Sequence, residues 1–144
     1  MKTTQICTTI EQSKRLLELG LNLNTADMSW TLAPISSEYP HASLIPYSKT
    51  MNRLTYNILP AWSLHRLIAM LPNVIYTTIL SVSINYPDIK LIDFEHNSIE
   101  YLSTSGCRMF HKNKGKHALY NNIIDCIEWL IQEGHFNKEY LKEK

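Results

Sequence analysis

The spacing of apolar positions changes character along the chain, and each change predicts an element. Thr8 followed three residues later by Glu11 has the form of a capping box, so a helix is expected to start there. Ile10, Leu16, Leu17 and Leu19 form its apolar stripe, and Gly20 supplies the left-handed residue that ends it. "PAWSLHRLIAMLP" predicts a second helix, capped by Ser63, with Leu64, Leu67, Ile68 and Leu71 on its apolar face. Pro72 forbids its continuation, and Trp62 can pack on Leu67 as a hydrophobic staple.

From Val74 to Ser103 the period becomes 2. Tyr76, Thr78, Leu80, Val82 and Ile84 read as the apolar face of a strand, with Pro87-Asp88 as the following turn. "IKLIDFEH" reads as a second strand, Asn97-Ser98 as a tight turn and "IEYLST" as a third strand. The connections are too short for parallel crossovers, so an antiparallel meander is expected. Leu119, Ile123, Cys126 or Ile127, Leu130 and Ile131 then recur at helical spacing, and Gly134 is placed to end that helix.

The expected fold is therefore α+β. An antiparallel sheet of three or four strands packs against a C-terminal amphipathic helix, with two shorter helices alongside. Residues 1–136 are expected to form one domain and 137–144 a charged tail that adds at most a short turn. The segment from Trp30 to Leu59 holds prolines at 34, 40 and 46 and has no sustained period, so only a short extended stretch near Tyr47 to Ile58 is read there.

Composition narrows the class of protein. An apolar fraction of 44% with 19% charged residues is that of a folding chain rather than a disordered one. No apolar run approaches the roughly 20 residues of a membrane span, and the N-terminus lacks the apolar core of a secretory signal. A cytoplasmic protein with no membrane contact is expected. Cys7, Cys107 and Cys126 have no paired spacing and read as free thiols.

The net charge of +1 conceals a segregation, since "SGCRMFHKNKGKH" (105–117) holds four bases and no acid, leaving −3 on the rest. Arg108, Lys112, Lys114 and Lys116, with Phe110 interleaved and a helix start downstream, have the chemistry to meet phosphates. A solvated loop has the same composition. Trp30 and Trp62, in the aromatic-rich segment 30–62, are the other candidate binding residues, against the plain alternative that they pack the core.

Catalytic patterns are weaker. Cys107, His111 and His117 offer three zinc ligands, and a fourth would have to come from elsewhere, such as His96 or Cys126. Asp93 and Glu95 share a strand face near Asp88 and Lys90, the ingredients of a magnesium-dependent nuclease in an unusual order. No nucleophile elbow or glycine-rich phosphate loop is present. No catalytic residue, metal site or cofactor is assigned.

Three stretches together carry a resemblance: "TIEQSKRLLELGL" followed by "NTADMSW", then "PAWSLHRLIAMLP", and the closing helix with Trp129-Leu130. In these the chain resembles a group of small uncharacterised proteins encoded by prophages and mobile elements of gut anaerobic bacteria. The resemblance omits residues 31–58 and the basic segment. It implies a phage or mobile-element origin and brings no catalytic residue, cofactor or mechanism.

The function expected is that of a small non-enzymatic interaction protein binding a host or phage protein. Two rivals stand beside it: a nucleic-acid-binding accessory factor acting through 105–117, and a metal-dependent nuclease or other hydrolase.

Overall fold

The computed structural model describes residues 5–31, 41–43, 58–78, 85–94, 98–103, 108–112 and 119–142. Of these, 31, 41–43, 76–78, 85–88, 103 and 108–112 are described by their backbone. The fold is α+β, with helices α1 (Ile10–Glu18), α2 (Leu64–Met70) and α3 (Leu119–Gln132) and two antiparallel sheets. Its contacts divide the chain into two compact units, Met1–Met70 with Lys138–Lys144, and Leu71–Asn137.

In the first unit α1 begins one residue later than the Thr8–Glu11 pattern indicates. Thr9 is the cap: its hydroxyl accepts from the Gln12 amide at 3.1 Å, and Gln12 Oε1 accepts from the Thr9 amide at 2.9 Å. Thr8 is buried instead. The helix ends at Gly20, whose φ of 102° lets the Leu21 amide reach back to the Leu16 carbonyl and the Gly20 amide to that of Leu17. This is the Schellman closure, with Leu16 and Leu21 both fully buried beneath it.

Strands β1 (Met28–Thr31), β2 (His41–Ser43) and β3 (Ile58–Ala61) form a three-stranded sheet in the order β2-β1-β3. Strands of three or four residues are too short to show a period, which is why this sheet is not legible in the sequence. Most of the extended stretch expected near Tyr47 to Ile58 falls in residues 44–57, which lie outside the described residues. The segment that reads as a charged tail forms a 3-10 turn, Lys138–Tyr140, and lies against the 20–22 segment. Leu141 bridges Leu21, Asn22 N–H donates to the Tyr140 carbonyl at 2.7 Å, and Lys142 N–H to that of Gly20 at 2.8 Å.

The second unit is a four-stranded meander, β4 (Val74–Thr78), β5 (Asn85–Asp93), β6 (Ser98–Ser103) and β7 (Arg108–Lys112), in sequential order, with α3 packed on β6 and β7. Helix α3 buries Leu119, Ile123, Cys126, Ile127 and Leu130 of the predicted stripe and also Ile124, while Ile131 of that stripe is half-buried, and the helix closes at Gly134 (φ 75°) with the same pair of back-bonds as α1. On the sheet side Ile75, Ile99 and Tyr101 complete this core.

Three readings need correcting here. Pro87 and Asp88 are not a turn but lie within β5, opposite Tyr76 and Ile75. The proline is tolerated because, among the described residues, the β5–β6 ladder begins at Asp88↔Ser103, so no described strand residue stands opposite the amide it lacks. The buried face of β4 is that of Ile75, whereas Val74, on the face read as the apolar one, is exposed. Finally, positions 108–112 of the basic segment are a strand rather than a loop: R-M-F-H-K does not alternate, and its register against β6 shifts between Tyr101 and Leu102, so no period of 2 marks it in the sequence. No helix among the described residues is long and apolar enough to cross a membrane.

Candidate functional site

Alternation along the meander assigns one face to α3 and the other to solvent. Ile99 and Tyr101 on β6 are fully buried on the helix side, as is Ile75 on β4. The opposite parity carries Val74, Ile89 and Leu91, which are 38%, 44% and 43% exposed. Val74 and Ile89 are direct cross-strand partners, Leu91 lies two residues along, and half-buried Leu102 pairs with Ile89 on the other side. Directly opposed and i, i+2 side chains are neighbours on a sheet, so these residues form one patch. Phe94, in the turn that follows β5, is 60% exposed. The borders of the patch are polar: Asp93 is exposed, and Glu100 stands opposite Leu91. Clustered apolar side chains on a solvent face, rimmed by polar groups, are the mark of an interaction surface.

This patch escapes a reading based on charged motifs. The signal is nevertheless in the sequence, because Val74-Ile75 and Ile89 to Ile92 place apolar residues at both parities, where a sheet covered on one side needs only one.

Trp30 and Trp62 belong to the interior of the first unit. Trp62 is 0% exposed, with its indole N–H on Thr25 Oγ1 at 2.9 Å. Half-buried Trp30 packs against Cys7, Met28 and Ala61 and donates its indole N–H to the Thr8 carbonyl at 2.8 Å. Thr8 is the hub. Its amide donates to the Trp62 carbonyl, and its hydroxyl accepts from the Trp62 amide at 3.1 Å and meets Ser13 Oγ at 2.7 Å. Nearby, the Asp27 carboxylate accepts from the amide and hydroxyl of Ser63, the cap of α2, and Ser63 Oγ accepts from the Arg66 amide. Arg66 Nε–H donates to the Thr25 carbonyl, and its guanidinium lies 5.6 Å from the centroid of the Tyr140 ring. These polar groups are engaged with one another.

Of the basic segment, Arg108, Phe110, His111 and Lys112 occupy the edge strand β7, with Arg108 opposite Leu102, Phe110 opposite Tyr101 and Lys112 opposite Ile99. Lys114 and Lys116 lie outside the described residues, as do Cys107 and His117 of the zinc reading and Glu95 of the nuclease reading. Lys90 and Asp93, three apart on β5, have opposite parity. Lys90 turns inward, its ammonium reaching the Leu71 carbonyl at 3.4 Å, while Asp93 is on the outer face. The lysine and the carboxylate therefore do not converge on one phosphate.

The two described thiols, Cys7 and Cys126, are poor nucleophiles. Burial, reinforced by Asp27, pushes Cys7 up to about 11, and burial raises Cys126 further although Lys90 opposes it. Burial likewise raises the Tyr101 phenol, which donates to the Pro72 carbonyl at 2.6 Å, and lowers Lys90. Both cysteines are thus protonated at neutral pH. Among the described residues no three His, Cys, Asp or Glu side chains gather to hold a metal ion. A cleft of about 500 Å³ is lined by Asn22, Leu23, Asn24, Lys138, Glu139, Leu141 and Lys142, and its charged side chains are exposed and of mixed sign.

No protein-family description, no curated protein and no solved structure matches the chain.

Proposed function

We propose that the chain is a small binding protein of phage or mobile-element origin, acting in the cytoplasm without catalysis, and that it holds a host or phage protein against the outer face of its C-terminal sheet. The observation that carries this reading is the contiguous exposed apolar patch of Val74, Ile89 and Leu91. A protein partner removes such side chains from water, and about 25 cal/mol is gained per Å² of apolar surface covered. Nucleic acid, which is met through phosphates, leaves this face without a purpose.

The test recovers partners from cells with the wild-type chain and with the Ile89→Asp/Leu91→Asp variant. The same proteins are titrated with single- and double-stranded nucleic acid over a salt series, beside the Lys112→Ala/Lys114→Ala/Lys116→Ala variant. A stoichiometric protein partner lost only with the outer-face variant is expected. Steeply salt-dependent nucleic-acid binding lost only with the lysine variant would transfer the function to the basic segment.

A further inference from the structure

The two edges of the C-terminal sheet are built differently. Strand β7 carries Arg108, His111 and Lys112, and its register against β6 shifts between Tyr101 and Leu102. Charge and irregularity are the usual protections of an edge. Strand β4 has neither: Val-Ile-Tyr-Thr-Thr is uncharged, rich in strand-forming residues and in unbroken register with β5. No charged residue or histidine occurs from Leu67 to Pro87.

The ladder shows which way the backbone of β4 points. Lys90 N–H donates to the Asn73 carbonyl at 3.0 Å, so Asn73 and Lys90 are a hydrogen-bonded pair. Bonded and non-bonded pairs alternate along an antiparallel ladder. Val74–Ile89, Tyr76–Pro87 and Thr78–Asn85 are then the non-bonded pairs, which agrees with a proline at 87. The N–H and C=O groups of Val74, Tyr76 and Thr78 are directed away from β5, towards the side where the sheet order shows no further strand among the described residues.

We infer that this edge pairs with β4 of a second copy of the chain. In an antiparallel two-fold arrangement centred on Tyr76, Val74 of one copy faces Thr78 of the second and Tyr76 faces Tyr76. These are the positions whose backbone groups point outward, so each pair exchanges its hydrogen bonds. Every opposed pair is neutral, and a net charge of +1 gives two copies little long-range repulsion. The two-fold axis is perpendicular to the resulting eight-stranded sheet, so the Val74, Ile89 and Leu91 patches of both copies fall on the same side and double the proposed binding face.

Sedimentation equilibrium of the full chain from about 1 µM to about 1 mM tests this over the range of ordinary association. A reversible dimer is expected. Tyr76→Lys sets two ammonium groups opposite each other at the axis and weakens self-association about tenfold or more, as does Tyr76→Glu. Mixing the two variants restores a dimer, with circular dichroism confirming that each alone is folded. A wild-type chain that stays monomeric throughout overturns the inference, as does a dimer indifferent to both substitutions. The Ile89→Asp/Leu91→Asp variant separates this inference from the partner reading, because it leaves the edge intact and is expected to dimerise normally.

Discussion

In the N-terminal unit the two tryptophans, Thr8, Ser13 and Thr25 satisfy one another inside the fold, whereas in the C-terminal sheet Val74, Ile89 and Leu91 are left facing water. The first arrangement has little to offer a partner, because each polar group in it already has one. The second has apolar surface that folding does not use. Side chains that look most recognisable in sequence, such as buried tryptophans, therefore mark architecture here, and plain aliphatic residues at the wrong parity mark the candidate surface.

That contrast is tested most severely at Trp62. If it is an architectural anchor, Trp62→Ala costs about 3–5 kcal/mol, as truncations of large buried aromatics do. Urea denaturation followed by circular dichroism measures this, and a loss below about 1 kcal/mol would return Trp62 to the list of surface residues.

Next in size is Thr8→Val, which keeps the volume but removes the hydroxyl that Ser13 Oγ and the Trp62 amide both meet. Leaving such buried groups unpaired costs about 1–3 kcal/mol. Thr9→Val, one position away, loses only an exposed cap and is expected to cost about 1 kcal/mol. A reversed ranking would mean that the capping box starts at Thr8 after all.

These neighbouring threonines show what was legible in the sequence and what was not. The chain ends of α1 and α3 could be read because Gly20 and Gly134 meet a local requirement, a positive φ. The choice between Thr8 and Thr9 could not, since it depends on Trp62, far away in sequence. Pro87 reads as a turn until the ladder places it opposite Tyr76, with no described strand residue facing the amide it lacks. The basic segment suffers the opposite problem: four charges suggest a loop, and 108–112 has no alternation to mark the strand it forms. The α+β class, the meander and its covering helix were readable because each repeats its period over many residues.

Alkaline pH distinguishes the units more gently. The raised thiols of Cys7 and Cys126 and the raised phenol of Tyr101 prefer the protonated form in the fold. Their contribution is fully present below their ordinary values, 9.0 for the thiols and 10.0 for the phenol, and is lost as pH rises through the higher folded values. Lys90, lowered by burial, acts in the other sense, its cost vanishing above its ordinary 10.5. Two raised acids lie in the C-terminal unit and one in the N-terminal unit, so the melting temperature between about pH 8 and 11 should fall, and Cys126→Ala should reduce the fall more than Cys7→Ala. Equal effects would show that the two interiors are alike in this respect.

The smallest change in stability is expected where the functional consequence is greatest. Ile89→Ser/Leu91→Ser removes apolar atoms that are already nearly half in water, and both residues have parity opposite to the buried Ile99 and Tyr101 through the β5–β6 ladder. Surface substitutions of this kind usually change stability by no more than about 0.5 kcal/mol each. A core position of the same unit, Ile123→Val, should cost more, about 0.5–1.5 kcal/mol, although it deletes a single methylene. If the outer-face variant instead unfolds as readily as a core variant, Ile89 and Leu91 are structural, and the sheet has no free face to offer. If it folds like the wild type and loses its protein partner, the apolar atoms that folding left in water are the ones that binding uses.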